Sequence, residues 1–282
     1  MLGEIAAIVA AVFFGVNHVL VRRGLLAGGT PFAGVYTSVL VNAIILWPLA
    51  LVLTNLSSIA AEGLLFLVIA GLLAPTLARL MRFVAIEKLG VAGSEPLAAS
   101  EPLFAAIFAI LVRGENFTLP LGIGTLLIVF GVVVLWEGVW TISRVGVAVT
   151  LASAVTFGVA ANFRKLGVES VGSPTLAAAV AVSVALSSYT GYSKAFRRST
   201  RVSKGARRFF VGGGLATTVA IVLSFTALAF SDVVVAAPLY NTTPLFALVF
   251  TRVFLSSHEK INLRILLSAA LVIAGAGLVV TR

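Results

Sequence analysis

The stretch SEPLAASEPLFAAIF, Ser94 to Phe108, has a second copy in AAPLYNTTPLFALVF, Ala236 to Phe250. Seven of the fifteen columns are identical: Pro96/Pro238, Leu97/Leu239, Pro102/Pro244, Leu103/Leu245, Phe104/Phe246, Ala105/Ala247 and Phe108/Phe250. The register extends outward. Phe14-Gly15 matches Phe157-Gly158, Gly24 matches Gly167, and Gly131 matches Gly275. An offset of 142 to 144 residues held along the whole chain marks an internal duplication.

Composition decides what kind of unit is duplicated. Hydrophobic residues make up 60% of the 282 positions and charged ones 11%, with a mean hydropathy of +1.13. A soluble core cannot hide that much apolar surface. A bilayer can, at about 20 apolar residues per crossing. Apolar runs punctuated by Gly, Pro, Asn and charge predict ten spans at about 3–21, 31–54, 63–86, 90–112, 119–139, 145–164, 173–192, 208–230, 232–255 and 262–281. The expected fold is an all-α integral membrane protein of ten transmembrane helices, divided by the duplication into residues 1–140 and 141–282. Five crossings end a unit on the side opposite its start. The second copy is therefore inverted, giving a 5+5 inverted-topology repeat. The first run, MLGEIAAIVAAVFFG, carries Glu4 and no Lys or Arg before Arg22, so it reads as an uncleaved span.

Charge placement gives an orientation. The net charge is +10. Loops 1–2, 3–4, 5–6, 7–8 and 9–10, with the helix ends facing them, hold 16 of the 20 Lys and Arg. The other side holds only Arg113, Arg164, Lys165 and Arg282. Basic residues in short loops stay cytoplasmic, which places both termini outside. The densest cluster, Lys194, Arg197, Arg198, Arg201, Lys204, Arg207 and Arg208, is a cytoplasmic anchor or a contact for anionic lipid. These charges form no continuous basic face, so a nucleic acid is not the expected partner. Cysteine is absent, the chain has two His and one Asp, and it lacks HExxH, GxSxG and paired Asp. Metal and nucleophile chemistry thus lack their residues. No enzyme, metal site or cofactor is expected.

The pattern PLFAAIF…RGE followed by LGIGTLLIVFGVVVL is echoed by PLFALVF…HEK and LLSAALVIAGAGLVV. It resembles the EamA-type branch of the drug/metabolite transporter superfamily. The best-matching parts are Pro102 and Pro244, Glu115 and Glu259, and Gly131 and Gly275. The resemblance covers essentially the whole chain. It implies a ten-helix transporter of small metabolites with a cavity between its halves, spans five and ten serving as scaffold. It also implies both termini in the cytoplasm, the reverse of the charge count. The function expected is a secondary active transporter, an exporter or permease moving small metabolites or drugs across the plasma membrane by alternating access. A lipid or lipid-linked metabolite flippase, built around a similar cavity, is the alternative.

Proline inside a helix leaves the carbonyl four residues back without its donor. Pro96, Pro102, Pro238 and Pro244 would free those of Ala92, Ala98, Val234 and Tyr240. At membrane depth such oxygens persist only against protein or a water-filled cavity. Spans four and nine are therefore predicted to be kinked walls of the cavity. Glu101 falls near the middle of span four, where a charge costs ~2.5–3.5 kcal/mol even on insertion scales. It is the candidate for proton or ion coupling or for binding a substrate amine, with Arg79 or Arg82 as its structural partner. Glu95 is expected to pair with Arg82 or Lys88. On one continuous helix the two carboxylates lie ~120° apart, too far round to act together.

At the level of Glu101 the second copy has Thr243, beside a neutral polar cluster of Tyr240, Asn241 and Thr242 able to hydrogen-bond a substrate. Span one offers Asn17 and His18; histidine is the side chain suited to proton relay at neutral pH. Asn42 and Asn162 are further cavity candidates. Trp47, Trp136 and Trp140 are expected at the membrane interface. Gly212, Gly213 and Gly214 are expected to permit close helix packing.

Overall fold

A computed structural model describes residues 2–54, 61–113, 118–139, 143–231, 236, 239–259 and 261–280. Among them the regular structure is helical throughout: α1 (Leu2–Leu26), α2 (Pro31–Leu53), α3 (Ala61–Gly71), a π-helical turn (Leu72–Ala78), α4 (Arg79–Ala98), α5 (Glu101–Arg113), α6 (Leu119–Val139), α7 (Arg144–Val171), α8 (Pro174–Ala195), α9 (Lys204–Phe230), α10 (Thr243–Phe254) and α11 (Leu263–Val280). Local sequence explains the helix starts. The Thr30, Ser143, Ser173 and Ser203 side chains accept from the N–H groups of Ala33, Gly146, Leu176 and Ala206. Each thereby satisfies a donor that the first turn would leave orphaned. Pro31 and Pro174 sit in first turns, where no amide hydrogen is missed.

Six helical stretches among the described residues are long and apolar enough to cross a bilayer: Leu2–Leu26, Pro31–Leu53, Glu62–Ala98, Arg144–Val171, Pro174–Ala195 and Lys204–Phe230. The Ala-rich seventh run forms α8, where Ala177, Ala178, Ala179, Ala181 and Ala185 are all buried. Its low hydropathy reflects small residues that let neighbouring helices approach.

Two expectations change. The loop predicted near 87–89 is instead a single non-helical residue, Gly90, at φ 72° and ψ 177° within an otherwise helical run. That φ suits glycine. The predicted kinks are also breaks. After Ala98 the chain turns at Ala99-Ser100 and restarts at Glu101; after Tyr240 it turns at Asn241-Thr242 and restarts at Thr243. Pro102 and Pro244 thus lie in first turns rather than helix interiors. Ser100 and Thr242 each donate a side-chain hydrogen bond of 2.7 Å to a carbonyl three residues back, Leu97 O and Leu239 O. The Tyr240 carbonyl, expected to stand open, accepts from the Thr243 hydroxyl at 2.7 Å. Hydroxyl neighbours close what proline opens. Pro96 is buried within α4, and Pro238 lies outside the described residues.

A third interrupted point was not anticipated. Pro75 sits in the π-helical turn, and the Tyr189 hydroxyl donates to the carbonyls of Pro75 and Thr76.

Contacts between the two copies come in exchanged pairs. A Cβ on Gly15 would lie 3.0 Å from Ala247 N and 3.1 Å from Phe246 Cβ. A Cβ on Gly158 would lie 2.8 Å from Ala105 N and 3.1 Å from Phe104 Cβ. Gly24 packs on Phe210 as Gly167 packs on Leu67. Gly131 faces Ser268–Val272 as Gly275 faces Gly124–Ile128. In this last pair the index falls from 131 to 124 while its partner's rises from 268 to 275, so α6 and α11 run antiparallel. Reciprocal contact of this kind is the property of a two-fold relation.

The Gly158 crossing leaves no room, because backbone rather than flexible side chain stands opposite. Gly158→Leu is expected to cost about 1–3 kcal/mol or more through overpacking. Gly191→Leu, with nothing within 4 Å of its Cβ, is the matched control. Unfolding midpoints of the two variants in detergent check this; equal midpoints would mean that the crossing is loose.

Candidate functional site

The broken segments and the glycine crossings converge on one cavity of about 100 Å³. A single water needs only ~10–15 Å³ by the same measure, so there is room for several waters or a small organic ligand. Side chains from both copies line it. Phe14, Asn17 and His18 come from α1; Arg79, Arg82 and Glu95 from α4; Glu101 from α5; Phe157 and Arg164 from α7; and Tyr240, Asn241, Thr243 and Pro244 from the second broken segment.

The charges are ordered. Glu95 is 1% exposed and stands between two nitrogens, Arg82 NH1 at 3.3 Å from Oε1 and His18 Nδ1 at 3.1 Å from Oε2. The Asn241 amide and the Glu101 carboxylate face the same space. Arg79 donates to Asn42 Oδ1 at 2.8 Å, while Asn42 Nδ2 donates to Gly214 O and Thr218 Oγ1, both at 2.8 Å. Phe157 lies between two guanidinium groups, 5.7 Å from that of Arg82 and 5.6 Å from that of Arg164. Cations at such distances are attracted by the ring face.

Of the residues selected from sequence, Glu101, Asn241, Tyr240, Asn17, His18 and Pro244 line the cavity. Asn42 stands behind Arg79 and orients it. Asn162 is turned to the Gly158 carbonyl of its own helix, and Thr242 to Leu239 O. The helical-wheel separation of Glu95 and Glu101 does not hold. The turn at Ala99-Ser100 lies between them, so both carboxylates reach the same space.

Arg79, Arg82 and Arg164 all line the cavity. Arg82 makes the expected pair with Glu95, whereas Arg79, expected with Arg82 as a possible partner of Glu101, bonds Asn42 instead. Arg79 and Arg82 stand at least a turn inside the predicted third span, a signal for buried charge. The Phe14/Phe157 pair served only to fix the repeat register; both rings line the cavity too.

On the basic side of the chain a second, half-buried charge group joins the copies. Arg22 Nε meets Glu259 Oε1 at 2.7 Å, and Arg22 NH1 donates to Ile86 O and Glu87 O, each at 3.1 Å. The Glu259 carboxylate also accepts from Val91 N at 3.0 Å and Ala92 N at 2.8 Å. These amides restart the helix after Gly90, and a helix start favours an anion. A Cβ on Gly90 would lie 2.5 Å from Glu259 Oε1. The repeat mate of Arg22 is Lys165, whose Nζ donates to Leu228 O at 2.8 Å and Ser231 O at 3.2 Å. Glu115, the mate of Glu259, lies outside the described residues.

Comparison with known proteins follows the two copies. The model of the EamA-like transporter family matches residues 1–136 and again 144–281. No curated protein matches the chain. Seventeen chains of solved structures do. One of them, described only as "Crystal structure of protein", is 17% identical, with 95% of each chain covered and a TM-score of 0.65. That likeness is one of fold. A family model matched twice, across nearly the full length and in the register of the internal repeat, places this chain in the EamA-like family of membrane transporters.

Proposed function

We propose that the chain is a secondary active transporter moving small metabolites or drugs across the plasma membrane by alternating access. Its halves, 1–140 and 141–282, are two five-span units of opposite orientation. Ten crossings arise if the broken segments each count as one span. The reciprocal glycine contacts support this arrangement, since α1 runs antiparallel to α9 as α7 does to α3. The observation that carries the reading is the cavity, where both copies place buried ionisable groups at their crossing. Soluble polar cargo needs such a surface in a span; a structural membrane protein does not.

Alternation needs a closure that can open. The Arg22–Glu259 group ties α1 and the 255–262 connection to the start of the segment after Gly90, closing the basic side. Lys165 occupies the corresponding place on the opposite side. Glu101 with Asn241 is the coupling element, and His18 with Glu95 and Arg82 is the fixed pair beside it.

Purified protein in liposomes is expected to give saturable solute flux that an imposed proton gradient accelerates. Lipid redistribution between leaflets without solute flux would favour the flippase reading. Orientation is tested separately. With both termini outside, a C-terminal reporter that fluoresces only when folded in the cytoplasm should stay dark; bright cells would reverse the orientation.

A further inference from the structure

We infer that the cavity is built for a small organic anion, a carboxylate head on a short apolar body. This rests on the transport reading of the same site and narrows its substrate class. Three guanidinium groups and two carboxylates line the cavity. Glu95 is committed to Arg82 and His18. Glu101 stands beside Asn241 in the cavity lining and lies within electrostatic reach of Arg164. Arg79 is left over. Among the described residues its hydrogen bond goes to the neutral Asn42, and no carboxylate comes within ion-pair distance. Arg79 and Arg164 are near enough to repel each other.

An excess positive charge inside a span costs free energy and is retained where a partner offsets it. A guanidinium carries five donors in a planar fork that fits a carboxylate bidentately. Asn42 takes one donor from Arg79 and fixes the group in place. Three buried polar atoms that find no partner among the described residues line this same space: Arg82 Nε, Asn17 Oδ1 and Tyr240 Oη. Buried donors and acceptors of this kind call for a polar ligand. The rest of the wall is apolar, with Phe14, Phe83, Phe157 and Phe225 facing the space. A monoanion with an apolar tail matches both parts and brings the lining charges to balance.

The test uses one body with three charges. Pentanoate, pentanamide and pentylamine are titrated against the purified full chain in detergent, with unfolding temperature and calorimetry as readouts. Butylphosphonate separates a carboxylate preference from a general oxyanion preference. Pentanoate is expected to raise the unfolding temperature, with the amide and the amine at least tenfold weaker. Arg79→Gln and Arg164→Gln should each weaken pentanoate at least tenfold, Arg79→Lys should restore part of it, and Arg201→Gln on the exposed loop should change nothing. Ligand-free unfolding temperatures establish that each variant is folded. Equal or tighter binding of pentanamide or pentylamine, undiminished binding in both arginine variants, or no binding of any probe would overturn the inference. Flux in liposomes is read independently: pentylamine flux without pentanoate flux removes the anion inference alone, while pentanoate binding without flux of any solute removes only the transport reading.

Discussion

Replacing Glu95 with alanine is expected to destabilise the protein by about 3–5 kcal/mol, the usual consequence of leaving one member of a buried ion pair alone. Arg82 is 7% exposed, and its charge would lose its one partner within bonding distance among the described residues. His18 would lose its contact with the other oxygen of that carboxylate. The double variant Glu95→Leu/Arg82→Leu should recover most of the loss, because replacing both ends of a buried pair with apolar groups is often neutral. Unfolding midpoints in detergent for both single variants and the double give the coupling directly. If Glu95→Ala unfolds like the parent protein, neither the Arg82 pair within α4 nor the His18 contact from α1 to α4 is holding the fold.

Glu101→Gln tests the cavity rather than the fold. Glutamine keeps the size and remains a polar neighbour for Asn241, so the unfolding midpoint should stay near that of the parent. Transport should change. A carboxylate can carry a proton across an alternating cycle and an amide cannot, so acceleration by a proton gradient should disappear in the variant. Solute affinity should also shift, by roughly 10- to 150-fold if a charge-assisted hydrogen bond worth ~1.5–3 kcal/mol is involved. Flux that still follows the gradient in Glu101→Gln would remove this residue from coupling.

The helical, duplicated character of the chain was legible because hydrophobic runs and repeated prolines are properties of sequence alone. The convergence of Glu101, Asn241, Tyr240, Asn17 and His18 was legible for a related reason, since polar residues within apolar runs are costly and stand out. What sequence hid is conformational. Pro102 looks the same in a kinked helix and in the first turn of a new one; the deciding residues are Ser100 and Thr242, whose hydroxyls cap the breaks. A helical wheel drawn through Ala99-Ser100 therefore misplaced Glu95 relative to Glu101. Arg82 was legible as a partner of Glu95, but that Arg79 and Arg82 line the cavity was not, because positive charge near a span end is ordinarily a loop marker. Their burial depends on Asn42 and Glu95, partners 37 and 13 residues away.

The charged lining is lopsided between the copies. Along the repeat register Arg79 corresponds to Val222, Arg82 to Phe225, Glu101 to Thr243, and His18 to Ala161, while Arg164 corresponds to Val21. Two identical half-length chains assembled about the same axis would carry every one of these groups twice, at mirrored positions. Covalent fusion removes that obligation, so one wall can keep its ions while the facing wall is free to become neutral. A half-length chain could have specified the scaffold of this protein, but a chamber of such uneven chemistry is out of reach of two identical copies of it.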